Sequence, residues 1–154
     1  MSVRTAPRRG MTAAVLLAWC ALAGSRAAAQ DVQAGNLVLT GAWTKAADQD
    51  RRIAHAFVTV RNRGAEADRL LAALSPAART VEIRIPDPGA AGGTRAVTDG
   101  LPVPAGGVVT LEPDGPHLVL RDIQQPLTVG DAIPVTLRFE RAGTVTLQLR
   151  AHFH

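Results

Sequence analysis

The sequence is poor in sulfur and in aromatic side chains. It contains no tyrosine, and its only cysteine and its two methionines are Cys20, Met1 and Met11, all near the amino terminus. Beyond Cys20, disulfide bonds, thiolate nucleophiles and sulfur ligands for a metal ion are therefore excluded. The rest of the chain must be stabilised by an apolar core, and it is long enough for one domain with such a core.

The amino-terminal segment has the composition of an export signal. Three arginines, Arg4, Arg8 and Arg9, precede an apolar run at 11–23, and small residues follow at 27–29. A short apolar run between a basic segment and a small-residue cleavage site is typical of a secretory signal peptide. The run is too short to cross a bilayer comfortably as a helix.

We therefore predict a signal peptide at 1–29 and a mature domain at 30–154, located in the periplasm or secreted. The adjacent arginine pair in the leader leaves the general secretory route and the twin-arginine route both open. Lipid attachment at Cys20 is disfavoured, because the bulky Trp19 occupies a position that normally takes a small side chain. An uncleaved membrane anchor is the remaining alternative.

Charge is balanced once the predicted leader is removed. The chain has 17 basic and 13 acidic residues. Four arginines belong to the leader and every acidic residue follows it, which leaves 13 charges of each sign in the mature domain. A neutral domain gives no electrostatic reason to expect nucleic acid or an anionic membrane surface as a partner. We also expect no membrane span in the mature chain.

Short alternating runs of apolar and polar residues dominate the mature chain. They are separated by turn-forming glycine, proline, aspartate and asparagine, and no stretch has a helical period. The runs at 133–140 and 144–150 flank a turn with Gly143 and predict a hairpin of neighbouring strands. About eight or nine strands at this spacing predict an all-β, single-domain Greek-key sandwich or barrel.

Five segments of the mature chain match the motifs of one known family in the same order. They are 56–62 (AFVTVRN), 80–83 (TVEI), 100–107 (GLPVPAGG), 115–120 (GPHLVL) and 135–140 (VTLRFE). The chain thus resembles the periplasmic copper chaperones called PCuAC. The resemblance implies a cupredoxin-like fold and delivery of Cu(I) to the copper centre of cytochrome oxidase. The implied partner is a cytochrome oxidase subunit or another copper-handling protein.

The resemblance also implies a Cu(I) site made of two histidines and two methionines. The family's spacing places these ligands at Arg84, Arg95, His117 and Val119, so only His117 keeps its ligand type. Thioether sulfur and neutral imidazole suit Cu(I), whereas arginine stays protonated and repels a cation. At about 4 Å and an effective dielectric constant of about 20, one such repulsion is about 4 kcal/mol. We therefore expect a degenerate site that has lost Cu(I) binding.

Two histidines at the carboxyl terminus, His152 and His154, form a second candidate metal site. In extended backbone they point to the same side, so they either share one Cu(II), Ni(II) or Zn(II) ion or belong to a solvated terminus. His55 lies opposite to Ala54 and Ala56 in its alternating run, so we expect it at the surface or the rim.

The replaced ligand positions allow a different kind of binding. Arg84 and Arg95 either form a clamp for a carboxylate or phosphate, or are solvated, with Arg84 paired to Glu82 or Asp87. The alternative to a copper chaperone is thus a module that keeps the fold and binds an anion or a protein partner through Arg84, Arg95 and His117.

The mature sequence contains no catalytic signature. It has no nucleophile elbow with a Ser-His-Asp arrangement, no glycine-rich phosphate loop after a strand, and no motif of paired carboxylates. We expect a binding protein rather than an enzyme. The lack of methionine and cysteine opposes a Cu(I) site, while the segment-by-segment match supports the copper-chaperone hypothesis.

Overall fold

The computed structural model describes residues 31–47 and 52–153, and these residues form eleven strands and no helix. The predicted all-β class is confirmed. Within these ranges no helix is long and apolar enough to cross a membrane. The signal peptide predicted at 1–29 lies outside the described residues. The strands are β1 (Val32–Ala34), β2 (Leu37–Lys45), β3 (Ile53–Asn62), β4 (Asp68–Leu74), β5 (Ala78–Pro86), β6 (Thr94–Ala96), β7 (Leu101–Val103), β8 (Val108–Leu111), β9 (His117–Ile123), β10 (Ala132–Phe139) and β11 (Gly143–His152).

The strands form one curled sheet with crossover connections. Its order is β6-β5-β9-β3-β2-β11-β10-β4-β7, with β1 paired to β2 and β8 paired to β3. Strands β2 and β11 run parallel, whereas the other pairs are antiparallel. Strand β11, the last in sequence, lies in the middle of this order and joins β2 to β10.

The hairpin predicted near the carboxyl terminus is confirmed. Strands β10 and β11 pair in antiparallel register, with Val135 opposite Leu147. The prediction of about eight or nine strands omitted β1, β6 and β7, which have three residues each. A segment of three residues is too short to show an alternating pattern, so its pairing has to come from the neighbouring strand.

Alternation along each strand determines which side chains form the core. On β11, Val145, Leu147 and Leu149 are buried, while the polar residues between them are exposed. On β9, Leu118 and Leu120 face the same core. Complete burial of each such side chain contributes about 1.5–3 kcal/mol, so leucine, valine and isoleucine supply the stability that disulfides do not.

The opposite face of β3, β9 and β5 is polar. The register pairs His55 with Val119, and Val119 with Glu82. Arg84 of β5 pairs with His117 of β9. Cross-strand partners point to the same side of a sheet, and successive residues point to opposite sides. These five side chains therefore share the face that lies back to back with the core.

Asp68 joins the start of β4 to the turn between β10 and β11. Its Oδ1 accepts hydrogen bonds from the backbone N–H groups of Arg69 and Arg141 at 2.7 and 2.9 Å. Its Oδ2 accepts one from the backbone N–H of Ala142 at 3.0 Å. Burial alone would raise the pKa of Asp68, but these backbone donors outweigh burial and hold the pKa below its usual value. The carboxylate is thus an internal connection of the fold.

Candidate metal centre

A groove of about 460 Å³ opens on the outer face of β3, β9 and β5. The residues with charged or imidazole side chains in its lining are Lys45, His55, Arg84, His117 and Arg121. Each comes from a regular strand, so a rigid sheet fixes the position of its backbone. The groove is therefore a preformed surface on which several polar groups converge.

Two imidazoles lie side by side in this groove. The ring centroids of His55 and His117 are 5.3 Å apart, and the ring planes make an angle of 45°. The two residues are distant in sequence, but the pairing of β3 with β9 brings them together. His117 is buried and His55 is partly buried, so both rings are shielded from bulk water. Paired imidazoles on neighbouring strands are suited to binding a transition-metal ion.

One hydrogen bond determines which nitrogen of His117 is free. Its Nδ1 lies 2.9 Å from the carbonyl oxygen of Gly115. Because a carbonyl oxygen only accepts, Nδ1 carries the proton and donates it, and Nε2 of the neutral ring keeps its electron pair. A hydrogen bond of this kind orients a metal-binding histidine and increases its basicity.

The surroundings of His55 favour the neutral form of its ring. Burial is the main cause that lowers its pKa, and the positive charges of Lys45 and Arg121 lower it further. A neutral imidazole has an electron pair to give to a metal ion, whereas a protonated one has none. His55 is thus prepared for metal binding at neutral pH.

Glu82 forms ion pairs with two arginines of the groove lining, Arg84 and Arg121. Its Oε2 accepts a hydrogen bond from Nη1 of Arg84 at 2.8 Å, and its Oε1 accepts one from Nε of Arg121 at 2.9 Å. Arg84 also donates from Nε and Nη2 to the side-chain and backbone oxygens of Thr94, at 2.9 and 2.7 Å. Burial raises the pKa of Glu82, but the hydrogen bonds from Arg121 and Arg84 outweigh it and lower the pKa. Arg84 is therefore paired to Glu82, which was one of the two interpretations of its sequence position.

Three of the four positions implied by the PCuAC resemblance lie together. Arg84, His117 and Val119 all line the groove. Val119 is buried and offers no donor atom, and Arg84 is engaged by Glu82 and Thr94. His117 is thus the one of these three that can bind a metal ion.

Arg95 lies apart from the other three positions. It pairs across the strands with Ile85, whereas Arg84 pairs with Ala96. Alternation therefore places Arg84 and Arg95 on opposite sides of the β5–β6 ladder. Nε of Arg95 lies 3.6 Å from Oδ2 of Asp87. The anion clamp suggested for Arg84 and Arg95 is not formed, because the side chains diverge.

The carboxyl-terminal histidines are only partly described. His152 is exposed at the end of β11, and its ring centroid is 6.2 Å from that of Trp43. His154 lies outside the described residues, so a metal site shared with His152 stays a prediction. Across 31–47 and 52–153, no group of three His, Cys, Asp or Glu side chains is placed to hold a metal ion. The groove is a site with two imidazole donors.

The sequence did not indicate that His55 belongs with His117. Its alternation correctly placed His55 opposite to Ala54 and Ala56, on the polar face of its strand. The missing information was the register between β3 and β9, which are separated by five other strands in the sequence. The signal that was present is that both histidines occur in strands otherwise rich in buried apolar residues.

Sequence comparison identifies the family. A family model described as "Putative lipoprotein LpqE-like" matches residues 37–151. The protein "Putative lipoprotein Lxx21020" of Leifsonia xyli subsp. xyli (strain CTCB07) is 32% identical over 113 residues, which cover 73% of this chain and 67% of that protein.

Similar solved structures carry PCuAC domains. A copper-bound PCuAC domain from PmoF2 matches with a TM-score of 0.70 and 27% identity, over 81% of this chain and 99% of that one. The solution structure of Cu(I)-bound DR1885 from Deinococcus radiodurans matches with a TM-score of 0.61 and 27% identity, over 84% and 85%. An apo PCuAC domain from PmoF1, at 23% identity and a TM-score of 0.72 over 81% and 100%, shows the fold alone. The cupredoxin-like fold and the resemblance to PCuAC are confirmed, and the chain belongs to the LpqE-like family.

Proposed function

We propose that this protein is an exported copper-binding protein that carries copper as its cargo, and that His55 and His117 bind the ion. The observation that carries the proposal is the pair of imidazoles, with ring centroids 5.3 Å apart, in a groove of a PCuAC-like fold. Two of the similar solved proteins hold copper. Their likeness to this chain supports copper as the ion.

The distance between the rings suits one shared ion. A metal–nitrogen bond of about 2 Å places a ring centroid roughly 3 Å from the ion. Centroids 5.3 Å apart are therefore compatible with one bond from each ring. The hydrogen bond to Gly115 leaves Nε2 of His117 free, and the lowered pKa of His55 favours the neutral form of that ring.

The donor set favours copper over zinc. Zinc sites use three or four protein ligands, whereas the described residues of this groove provide two imidazoles. Imidazole binds copper in both oxidation states, and Cu(I) is held more tightly when thioether sulfur is added. We therefore expect weaker Cu(I) binding than at a site with two histidines and two methionines, together with measurable Cu(II) binding.

An incomplete ligand set is suited to handing copper over. Two protein donors leave open coordination positions on the ion. The ligands of a recipient can bind there before His55 and His117 dissociate from the ion. The groove lies at the surface, where a recipient has access to it. The recipient that we propose is a cytochrome oxidase subunit or another copper-handling protein.

Export is the second part of the proposal. The family and the relative from Leifsonia are both described as lipoproteins, which supports a location outside the cytoplasm. We expect removal of residues 1–29 and a mature chain that begins at Gln30. Intact-mass measurement of the exported protein tests this, and a mass that includes the leader, or one with lipid on Cys20, contradicts the cleavage site.

Copper titration of single variants tests the metal site. Cu(I) affinity is measured against a chromophoric chelator, and Cu(II) binding is followed by quenching of the fluorescence of Trp43. We expect His55→Ala and His117→Ala each to lower copper affinity about 100-fold, because each removes half of the donor set. The matched control His152→Ala removes an imidazole outside the groove and should change affinity less than about twofold.

The same titration distinguishes the groove from the tail. Loss of affinity in His152→Ala, with retention in the two groove variants, places copper at the carboxyl terminus and refutes the groove site. A parent protein that binds neither Cu(I) nor Cu(II) refutes copper binding altogether.

A further inference from the structure

The groove that holds the two imidazoles has a positive lining. The charged residues in its described lining are Lys45, Arg84 and Arg121, and none of the lining residues is acidic. The predicted mature domain has equal numbers of acidic and basic residues. Positive charge is therefore concentrated at this groove by the fold and does not follow from composition.

Glu82 neutralises only part of this charge. Its two oxygens accept hydrogen bonds from Arg84 and Arg121, so one carboxylate is shared by two guanidinium groups. Lys45 has no ion pair within the described part of the chain. The outer face thus keeps an excess of positive charge beside His55.

Arg121 and Lys45 have more unused hydrogen-bond donors than Arg84 has. Arg84 directs Nε, Nη1 and Nη2 to Thr94 and Glu82. Arg121 uses Nε for Glu82, and its side chain is 40% exposed, which leaves its terminal nitrogens accessible. The ammonium of Lys45 is a mobile point charge with three donors. These two residues can bind an anion without breaking the existing network.

A copper ion in the groove meets two opposing effects. The imidazoles attract it, while the positive charges of Lys45 and Arg121 in the same lining repel it. The ion also has coordination positions that the protein does not fill. An anion that binds copper and these two cations together satisfies both requirements, because it offsets the repulsion and completes the ligand set.

We propose that the groove binds a small free carboxylate as an additional ligand of copper, and that Lys45 and Arg121 hold this anion in place. One carboxylate oxygen binds the ion held by His55 and His117, and the other accepts hydrogen bonds from the two cationic side chains. The inference rests on the copper binding proposed above and adds the identity of the missing ligand.

Azide is the probe for this site, because its coordination to Cu(II) produces a charge-transfer absorption band. The mature protein is loaded with Cu(II), titrated with azide at constant ionic strength in perchlorate, and then titrated with acetate. We expect the band to appear with azide and to disappear as acetate displaces it.

Charge variants show whether the protein contributes to anion binding. We expect Lys45→Gln and Arg121→Gln each to raise the azide dissociation constant about tenfold, since each removes a positive charge beside the anion. Arg121→Lys keeps that charge and should retain most of the azide affinity. Arg95→Gln is the matched control, because Arg95 lies on the opposite side of the β5–β6 ladder.

The copper titration comes first, so the two proposals fail in different ways. Absence of copper binding refutes the proposed function and with it this inference. Copper binding without an azide band overturns the anion site, and so does an equal azide affinity in the parent, Lys45→Gln and Arg121→Gln. An azide band that acetate does not displace overturns the assignment to a carboxylate.

Discussion

The outer groove and the turn around Asp68 are both polar clusters on the same sheet, but they use their hydrogen-bonding capacity differently. The Asp68 carboxylate receives three backbone N–H groups and is satisfied by the fold itself. In the groove, one nitrogen of His117 is used by Gly115 and the other keeps its electron pair. A polar group that the fold satisfies stabilises the fold, whereas one with remaining capacity is available to a ligand.

Replacement of Asp68 should have the largest effect on stability. Asp68→Ala leaves three backbone N–H groups without their acceptor, and we expect a loss of about 3 kcal/mol in the free energy of unfolding. Urea unfolding followed by circular dichroism measures this loss. Copper affinity of the folded variant should equal that of the parent, so a reduced affinity would contradict the separation of the two clusters.

Replacement of His117 should lower copper affinity strongly and change stability little, the reverse of the effect of Asp68→Ala. His117→Gln removes the free imidazole nitrogen, and we expect copper affinity to fall about 100-fold while the free energy of unfolding changes by less than about 1 kcal/mol. Parallel chelator competition and urea unfolding give both values. A destabilisation as large as that of Asp68→Ala would show that His117 belongs to the structural class.

A thioether at position 119 should strengthen the binding of Cu(I) in the groove. Val119 points to the outer face between His55 and Glu82, so Val119→Met brings sulfur beside the imidazoles. We expect about tenfold tighter Cu(I) binding and little change for Cu(II), since thioether sulfur is a soft ligand.

Two controls make this gain specific to sulfur at this position. Leucine is similar in size to methionine but lacks sulfur, so Val119→Leu should leave Cu(I) affinity unchanged. Arg95→Met adds a thioether on the opposite side of the β5–β6 ladder and should also add nothing. A gain with Arg95→Met would mean that this position does converge on the groove.

The smallest expected effect is a difference in how the two clusters make stability depend on pH. The folded pKa of His55 lies below 6.5, so the unfolded chain binds more protons just below pH 6.5 and stability falls as pH decreases through that range. The folded pKa of Asp68 lies below 3.8, so its stabilisation is present above that pH and is lost as pH decreases toward the folded value. Urea unfolding across a pH series measures the free energy of unfolding at each pH. We expect His55→Ala to weaken its pH dependence in the mildly acidic range and Asp68→Asn to weaken it in the strongly acidic range. If His55→Ala changed the strongly acidic range and Asp68→Asn the mildly acidic range, the lowered pKa values of His55 and Asp68 would be contradicted.

Local pattern was sufficient to predict most of the fold. Alternation is set by the strand itself, so the long strands, the β10–β11 hairpin and the polar side of β3 were predicted. The resemblance to PCuAC supplied the cupredoxin-like fold, which local pattern does not contain. The three-residue strands were missed because their pairing depends on neighbours.

The site was harder to predict because it depends on registers between distant strands. His117 was found through the family spacing, but His55 joins it only through the pairing of β3 with β9. The same dependence explains Arg95, whose spacing suggested a shared patch but whose pairing with Ile85 turns it away from the groove. The predictions for 1–29 and for His154 remain predictions.

The central position of β11 has a consequence for the order of events in the cell. Residues 143–152 lie between β2 and β10, so the two halves of the sheet have no shared ladder until this strand has been synthesised. During synthesis from the amino terminus, pairs such as β2–β3, β3–β9 and β5–β9 can form before β11 exists, but the complete sheet cannot form until residues 143–152 are available.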